Sequence, residues 1–385
     1  MKNFSVKLIS KLITNVIGKG PHHLHEPKLG KKEIQLVCKS IKSNFVSTKG
    51  KFVNIFENKL KKFTKAKYVL STINCTNAIY LSLKVLGVKR NDEVLVPALT
   101  FIGTVNPISY LGAEPHFIDS NISNFGIDCD KLETYLKSKV KIINNRCINQ
   151  DTGRIIKALI AVHVFGHACD IEKIIKLAKK YKLEVVEDAA EGLGSFFKKK
   201  HLGTFGKIGC LSFNGNKIIT TGGGGAILTN EKKIFMKLKH LSTTAKLDHR
   251  WEFNHDDVGY NLRLPNINAA LGCAQLERIK KLIKLKRNLF LRYNQKFKNI
   301  KGIKIFKDNK FEKSNYWLQT LILDKKLKRY KLNILKENYK KKIFLRPAWK
   351  LISQSKPYIK KQKMNLSGST EIYERILNLP SSSFL

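Results

Sequence analysis

The sequence predicts an α/β protein in which helices cover both faces of a mostly parallel sheet, joined to a smaller α+β domain. Between residues 68 and 228, short apolar segments of strand character alternate with helical segments, which is the pattern of a parallel sheet with helical crossovers. Beyond residue 275 the elements become shorter and mixed, which indicates a separate unit. At 385 residues, the chain is long enough for one large core and an appended domain.

The predicted strands of the large sheet are short and mostly apolar, and helices with an apolar face lie between them. Residues 120–157 interrupt this alternation and are interpreted as an insertion rich in polar turns. The predicted strands span residues 68–70, 93–96, 115–118, 158–164, 183–186, 208–213 and 226–228, and the predicted helices span residues 31–43, 50–63, 77–86 and 170–180.

We expect three parts: an N-terminal helix over residues 1–24, a large domain over residues 25–275 and a small domain over residues 276–385. In the first part, apolar residues with lysines between them predict an amphipathic helix docked on the body of the protein. Its apolar runs are too short for a signal peptide or a membrane span, and no other stretch qualifies as one. The predicted elements of the small domain are helices 276–299 and 328–341 and strands 302–306, 316–323 and 343–345.

The composition is strongly basic, with a formal charge of +44 from 73 Lys and Arg against 29 Asp and Glu. Such a charge attracts polyanions, including nucleic acids and phosphorylated small molecules. The lysines are spread along the whole chain, however, which favours lysine at ordinary solvated positions over a dedicated binding tail. Seven cysteines without a C-x-x-C pair are typical of free thiols, and they predict a cytoplasmic protein.

Lys217 lies in a setting that a surface lysine does not need. It follows an apolar strand that ends at Phe213 and a turn at residues 214–216, and four consecutive glycines occupy residues 222–225. A lysine held in a tight loop at the end of a buried strand can lose solvation, which makes its amine nucleophilic. Ser212, five residues earlier, offers a hydroxyl to an anionic group over the same loop. Lys217 is therefore a candidate to form a Schiff base with a carbonyl cofactor.

Other candidate residues follow other predicted strands, and ligands of parallel sheets gather at these carboxyl ends. Cys75 and Thr76 open a helix whose free N–H groups suit a phosphate, although an ordinary helix cap explains them equally well. Phe101 could stack on a planar ring, and Asp188 could pair with a protonated pyridine nitrogen. The predicted sheet brings these residues to one edge together with Ser212 and Lys217, which favours pyridoxal phosphate (PLP) as the cofactor.

With these residues, the chain resembles the DegT/DnrJ/EryC1/StrS family of PLP-dependent sugar aminotransferases, which have the aspartate-aminotransferase fold (fold type I). The resemblance extends from about His25 to the C-terminus and is strongest to the legionaminic-acid-type (LegC-like) branch. The segments that carry it are 24–27 (LHEP), 96–101 (VPALTF), 163–167 (HVFGH), 187–191 (EDAAE), 212–225 (SFNGNKIITTGGGG), 249–252 (HRWE), 259–263 (GYNLR) and 378–382 (NLPSS).

The resemblance implies roles for residues of the chain. Lys217 would carry the cofactor and then act as general base and acid, Asp188 would hold the pyridinium nitrogen, and Phe101 would stack on the ring. Ser212 and the backbone around Cys75 and Thr76 would bind the phosphate, with the Cys75 side chain pointing away from it. The Thr76 hydroxyl is a further possible phosphate ligand.

The resemblance also implies a homodimer with shared active sites, in which Asn261 or Arg263 reaches the phosphate from the neighbouring subunit. Arg250 and Trp251 would line the sugar-nucleotide site from that subunit. Within the chain, Glu191 would lie near the ring substituents of the cofactor. His163 would line the pocket.

The activity that the resemblance implies is a two-step transamination. L-Glutamate would give its amino group to the cofactor, which would pass it to a nucleotide-linked 4-keto-6-deoxy sugar. UDP- or GDP-4-keto-6-deoxy-N-acetylhexosamine is the expected substrate, for surface glycans of the legionaminic-acid or bacillosamine type. A perosamine-synthase-like reaction on a GDP-sugar is the alternative within the family.

Parts of the sequence also suggest two other functions and two other kinds of site. A polyanion-binding protein would explain the charge but not the series Asp188, Ser212 and Lys217, and no basic patch with interleaved aromatics indicates nucleic-acid binding. A regulatory relative that keeps PLP without turnover is the other possible function. His163 and His167 resemble a metal pair, but they lie on a strand and beyond a turn rather than on one helical face, so no metal is expected. The four glycines lack the spacing of a nucleotide phosphate loop.

Overall fold

The computed structural model describes residues 5–385. Helices and strands largely alternate along the part of the chain that forms the large sheet. The α-helices are α1 (Val6–Ile17), α2 (Lys31–Lys42), α3 (Lys51–Thr64), α4 (Cys75–Val85), α5 (Ile102–Tyr110), α6 (Cys129–Lys139), α7 (Ile171–Lys180), α8 (Lys232–Ser242), α9 (Asn266–Glu277), α10 (Ile279–Phe297), α11 (Lys331–Lys340) and α12 (Ser367–Arg375).

The strands form three sheets, of which the largest belongs to the first part of the chain. They are β1 (Tyr68–Thr72), β2 (Glu93–Pro97), β3 (Glu114–Ile118), β4 (Val140–Ile143), β5 (Arg146–Asn149), β6 (Ile155–Val162), β7 (Glu184–Asp188), β8 (Phe196–Phe197), β9 (Lys200–His201), β10 (Ile208–Ser212), β11 (Gly225–Thr229), β12 (Ile303–Ile305), β13 (Glu312–Lys313), β14 (Gln319–Leu323), β15 (Arg346–Pro347) and β16 (Ile376–Leu379).

The large sheet has the strand order β1-β11-β10-β7-β6-β2-β3, with the β4–β5 hairpin attached to β6. Strands β3, β2, β6, β7 and β10 are parallel to their neighbours in this series, whereas β11 is antiparallel to both β1 and β10. The predicted α/β architecture with a mostly parallel sheet is thus confirmed. It brings the carboxyl ends of β2, β6, β7 and β10 to one edge, where the candidate residues lie.

Both faces of this sheet are buried, as the apolar runs of its strands predict. Residues Ala158–Val162 of β6 are all buried, and their side chains alternate between two hydrophobic clusters. Helix α4 packs on one face, where Ala78, Ile79 and Leu81 are almost completely buried. Its N-terminus is fixed because the Asn74 side chain accepts a hydrogen bond from Asn77 N–H at 2.8 Å, which stabilises the first turn of the helix.

The predicted insertion over residues 120–157 contains α6 and the β4–β5 hairpin. Buried Glu93 of β2 anchors this hairpin: its carboxylate accepts hydrogen bonds from Asn149 Nδ2 at 2.8 Å and from Thr152 Oγ1 at 2.6 Å. The contact lies at the amino end of β2, opposite the edge that carries the candidate residues. The insertion therefore extends the sheet at the end away from the candidate residues.

The C-terminal part contains an antiparallel sheet of order β12-β14-β16-β15. Helix α1 docks on this part through buried Ile9, Ile13 and Val16, while residues 1–4 of the predicted N-terminal helix lie outside the described range. No helix within residues 5–385 is long and apolar enough to cross a membrane. The division at residues 24 and 275 remains a prediction.

Several predicted elements of this part differ from the structure in their bounds. The helix predicted over residues 276–299 begins within the end of α9 and otherwise corresponds to α10, and these two helices meet at Arg278. The strand predicted over residues 343–345 lies slightly later, at Arg346–Pro347, and Ile343 makes only an isolated bridge to His22.

Candidate active site

A cavity of about 230 Å³ lies at the carboxyl ends of β7 and β10, beside the first turns of α4 and α5. It brings together most of the residues that the sequence singled out, although they are spread over more than 140 positions of the chain. The predicted site residues in its lining are Cys75, Thr76, Phe101, His163, Asp188, Glu191, Ser212 and Lys217.

Lys217 projects into this cavity from the turn that follows β10. The turn is closed by a hydrogen bond from Lys217 N–H to the carbonyl of Asn214 at 3.0 Å. The amine Nζ donates to Glu191 Oε1 at 3.1 Å and lies 4.0 Å from the ring centroid of Trp317. Only 13% of the side chain is exposed. The amine is thus held between a carboxylate and an aromatic face in a largely buried position.

Hydrogen bonds hold both the carboxylate and the backbone carbonyl of Glu191. Its Oε2 accepts a hydrogen bond from Phe165 N–H at 2.7 Å, and its backbone carbonyl accepts one from Asn315 Nδ2 at 2.7 Å. Phe165 has a left-handed backbone with φ of 57°, a conformation that non-glycine residues adopt mainly where the surroundings impose it. Burial raises the pKa of Glu191 above its ordinary value, although Lys217 and the Phe165 N–H both favour its charged form.

Asp188 ends β7, and its carboxylate has two donors. Thr104 Oγ1 donates to Oδ2 at 2.6 Å, and Ala190 N–H donates to Oδ1 at 3.0 Å. The parallel pairing with β10 sets Asp188 opposite Cys210, two residues before Ser212. The side chain is buried but still contributes to the cavity lining, so a carboxylate with fixed orientation faces the cavity.

The first turn of α4 forms the anion-binding side of the cavity. The N–H groups at the start of a helix have no acceptor within it, and here they belong to Cys75 and Thr76. Ser212 also lines the cavity, and its hydroxyl accepts a hydrogen bond from Asn214 N–H at 3.4 Å. Gly225 packs tightly against this turn: a Cβ atom there would lie 2.6 Å from the Asn74 carbonyl carbon and 2.7 Å from Cys75 N. The hydrophobic core buries Cys75, and this burial raises the pKa of its thiol.

Phe101 lies at the mouth of the cavity. It is the residue before α5, and its ring is 6.5 Å from that of Trp349, which also lines the cavity. The Phe101 side chain is 57% exposed. A planar ligand entering the cavity would therefore meet an accessible aromatic face.

His163 lies at the end of β6 and is completely buried. Its Nε2 is 2.9 Å from Glu187 Oε2, and its Nδ1 accepts from Cys169 N–H. Burial acts to lower the pKa of His163, whereas the contacts with Cys169 and Glu187 act to raise it. His167 pairs instead with Glu312 at 3.0 Å, so the two histidines that resemble a metal pair hydrogen-bond to different carboxylates.

The remaining candidates do not line the cavity of their own chain. Trp251 is 75% exposed, and Arg250 lies against its ring. Arg263 pairs within the chain with Glu57, at 2.9 Å from Nη2 to Oε1. Asn261 follows Tyr260 in an irregular segment, where it makes a single bridge to Thr243. Their expected action from a neighbouring subunit remains a prediction.

Sequence reasoning missed several residues that complete the cavity. Trp317 and Trp349 line it, yet both follow the large domain by many residues. Glu187 and Thr104 hold His163 and Asp188 in place. Glu187 belongs to the segment 187–191 (EDAAE). No local sequence pattern marks the two tryptophans.

These residues fit PLP. The amine of Lys217, the carboxylate of Asp188, the N-terminus of α4 and Ser212 lie around one cavity. The amine matches the aldehyde of that cofactor, the carboxylate matches its ring nitrogen, and the helix N-terminus and the serine hydroxyl match its phosphate. The fold and the site define a PLP-dependent aminotransferase of fold type I.

Comparison with known proteins agrees with this class. Residues 27–385 match the model of the DegT/DnrJ/EryC1/StrS aminotransferase family, and the chain belongs to that family. GDP-perosamine synthase of Escherichia coli O157:H7 is 36% identical over 78% of this chain and 77% of its own. EpsN of Bacillus subtilis, named as a putative pyridoxal phosphate-dependent aminotransferase, is 35% identical over 85% of this chain and 81% of its own.

A solved structure is similar over almost the whole chain. PseC of Helicobacter pylori, an aminotransferase involved in the biosynthesis of pseudoaminic acid, superposes with a TM-score of 0.84 at 26% identity. The match covers 94% of each chain. The fold expected from the sequence is therefore confirmed.

Proposed function

We propose that this protein transfers an amino group from L-glutamate to the keto group of a nucleotide-linked 4-keto-6-deoxy sugar. The observation that carries the proposal is the position of the Lys217 amine, 3.1 Å from Glu191 in a cavity that also contains Asp188 and the first turn of α4. The names of the relatives support a sugar as the amino acceptor, because GDP-perosamine and pseudoaminic acid both contain amino sugars.

Each residue of the cavity has a role in this proposal. Bound PLP supplies an electrophilic carbon and a ring that withdraws electrons from the reacting centre. Lys217 would hold the cofactor through its Nζ amine, and the same amine would accept and return the proton during amino transfer. Glu191 exchanges a proton with that amine across the 3.1 Å contact. Asp188 keeps the ring nitrogen protonated.

The phosphate and the ring are bound by neighbouring groups. The N–H groups of Cys75 and Thr76 and the hydroxyl of Ser212 would hold the phosphate, and the hydroxyl of Thr76 is a further candidate ligand. Phe101 would stack on the ring, and buried His163 lines the same cavity. These groups orient the cofactor before either substrate arrives.

A second copy of the chain completes the site in this proposal. Asn261 of that copy reaches the phosphate; Arg263 is the weaker candidate because Glu57 of its own chain occupies its guanidinium. Exposed Arg250 and Trp251 then line the sugar-nucleotide site of the neighbouring subunit. The enzyme acts in the cytoplasm on soluble substrates.

Two acceptor sugars remain as specific candidates. The LegC-like segments favour UDP- or GDP-4-keto-6-deoxy-N-acetylhexosamine, for glycans of the legionaminic-acid or bacillosamine type. The 36% identity with a GDP-perosamine synthase favours a GDP-linked 4-keto-6-deoxyhexose without the N-acetyl group. The candidates differ in the N-acetyl group of the sugar and, for the UDP-linked form, also in the nucleotide, and they call for a direct comparison.

The test is transfer of label from ¹⁵N-glutamate to each keto sugar, followed by mass spectrometry of the nucleotide sugar. We expect one mass unit of label in the amino-sugar product with the wild-type protein and PLP, and none with the Lys217→Ala variant. Comparing kcat/KM between the candidate sugars identifies the acceptor. Absence of label in every nucleotide sugar would contradict the proposed function.

A further inference from the structure

Two threonine hydroxyls form a short hydrogen-bonded chain that ends on Asp188. Thr104 Oγ1 lies 2.6 Å from Asp188 Oδ2, and Thr100 Oγ1 lies 2.7 Å from Thr104 Oγ1. Thr100 and Thr104 are 1% and 2% exposed. A carboxylate oxygen accepts, so Thr104 donates to Asp188 and Thr100 in turn donates to Thr104.

This chain joins parts of the sheet that are not neighbours. Thr100 follows β2 and Thr104 lies in the first turn of α5, whereas Asp188 ends β7. Strand β6 lies between β2 and β7 in the sheet. A threonine near a helix start usually bonds to its own turn, but the hydroxyl of Thr104 donates to a residue 84 positions away. A purely local capping role therefore does not account for it.

The donors act on the charge and the direction of the carboxylate. Hydrogen bonds to a carboxylate favour its charged form, and bonds to an ionised acceptor are stronger than neutral ones. With Thr104 on one oxygen and the Ala190 N–H on the other, the carboxylate cannot rotate without losing both. Glu191 lies nearby, and the pKa of its own carboxyl is raised by burial and, to a smaller extent, by the charge of Asp188.

We propose that Thr104 is a positioning residue that keeps Asp188 ionised and directed at the pyridine nitrogen of PLP, and that Thr100 fixes the orientation of the Thr104 hydroxyl. This inference rests on the proposed function. An ionised Asp188 leaves the proton on the ring nitrogen, which the ring needs to withdraw electrons. Without the donor, the proton shifts towards the carboxylate and the pyridine nitrogen loses its charge.

The experiment uses the full chain loaded with PLP that is ¹⁵N-labelled at the ring nitrogen, and its readouts are the ¹⁵N chemical shift and the PLP dissociation constant. Thr104→Val keeps the shape and removes the hydroxyl, so we expect a signal displaced towards the unprotonated pyridine position and a dissociation constant about tenfold higher. Thr100→Val should displace the ¹⁵N signal less, in the same direction. Thr104→Ser keeps the hydroxyl and should give the wild-type ¹⁵N signal. The control is Thr134→Val. The exposed hydroxyl of Thr134 donates to the backbone carbonyl of Asp130 in its own helix, at 3.0 Å.

The outcomes separate this inference from the proposed function. If wild-type protein binds PLP with a protonated ring nitrogen and Thr104→Val gives the same ¹⁵N shift, the inference is wrong and the proposed function stands. If wild-type protein binds no PLP, the proposed function fails, and the inference fails with it. Should Thr104→Val not fold, an unchanged shift in Thr100→Val overturns the inference.

Discussion

The amine of Lys217 and the carboxylate of Glu191 lie 3.1 Å apart, with only 13% and 7% of their side chains exposed. The pair joins the turn after β10 to the segment after β7, so that two neighbouring strands of the sheet supply its two partners. Removing one partner from a buried pair costs more than the pair contributes, because the remaining charge is left without compensation. In the proposed mechanism the pair would hold the Lys217 amine in place and give it a partner for proton exchange.

Glu191→Gln should separate these two roles. Glutamine keeps the size of the side chain and can still accept from Phe165 N–H, but it cannot take a proton from Lys217. We expect the rate of the glutamate half-reaction to fall about a hundredfold with little change in fold, measured by stopped-flow absorbance. Glu172→Gln is the control, because that glutamate pairs at the surface with Lys198. An unchanged rate in Glu191→Gln would remove the proton-exchange role.

Gly225→Ala should damage the phosphate-binding turn. The added methyl group would lie 2.6 Å from the Asn74 carbonyl carbon and 2.7 Å from Cys75 N, so the first turn of α4 has to move. We expect PLP affinity to fall at least about tenfold, as when a hydrogen bond to a charged group is lost, measured by equilibrium titration. Gly215→Ala is the matched control, because its nearest neighbour outside the adjacent residues is 4.0 Å away. Equal affinities in the two variants would argue against a phosphate at α4.

The proposed sharing of active sites between two copies of the chain predicts complementation between inactive variants. Lys217→Ala and Asn261→Ala should each be inactive alone. In a symmetric dimer with random exchange, half of the dimers are mixed and each mixed dimer contains one intact site, so about one quarter of wild-type activity should return. The measurement is activity after the two variants are unfolded and refolded together. Failure to recover activity, with mixed dimers demonstrated by differently tagged chains, would rule out Asn261 acting across the interface.

His201 predicts a loss of stability in mild acid. The ring is 2% exposed, and its Nε2 accepts from Gly194 N–H at 2.8 Å. Burial lowers its pKa to about 4, although the Leu202 carbonyl favours the charged form. An unfolded histidine takes up its proton near pH 6.5, so the unfolded state binds more protons between about pH 6.5 and pH 4.

The stabilisation from neutral His201 is therefore complete above about pH 6.5 and declines as the pH falls towards 4. Between pH 7 and pH 5 this residue should account for about 2 kcal/mol of the decrease in the free energy of unfolding. Urea unfolding of wild type and His201→Gln at both pH values measures it. The same pH dependence in both proteins would show that His201 does not contribute.

The sequence was sufficient for the part of the site that local patterns encode. Asp188 and Ser212 end strands with a clear apolar signal, and Thr76 and Lys217 follow such strands within a few residues. A parallel sheet gathers such positions at one edge. Their meeting in one cavity follows from the alternation of strands and helices. The individual hydrogen bonds that orient them do not, because they depend on side-chain rotamers.

Other parts of the site depend on packing between distant segments. Trp317 reaches Lys217 because its indole N–H donates to the carbonyl of Asn216 at 2.8 Å, and its own carbonyl accepts from buried Lys286. No periodicity in the sequence predicts these contacts. The break between α9 and α10 was missed for a similar reason: neither glycine nor proline occurs there, and Arg278 instead pairs with Glu33 of α2 at 3.0 Å.

The most direct measurement of the central claim is the visible absorption spectrum of the purified protein with PLP, before and after addition of L-glutamate, beside the Lys217→Ala variant. The account predicts a visible band for the cofactor attached to wild-type protein that disappears on addition of glutamate, and no such behaviour in the variant. A wild-type protein that gives no band with PLP, or a variant that gives the same band and the same response, would contradict the assignment of Lys217.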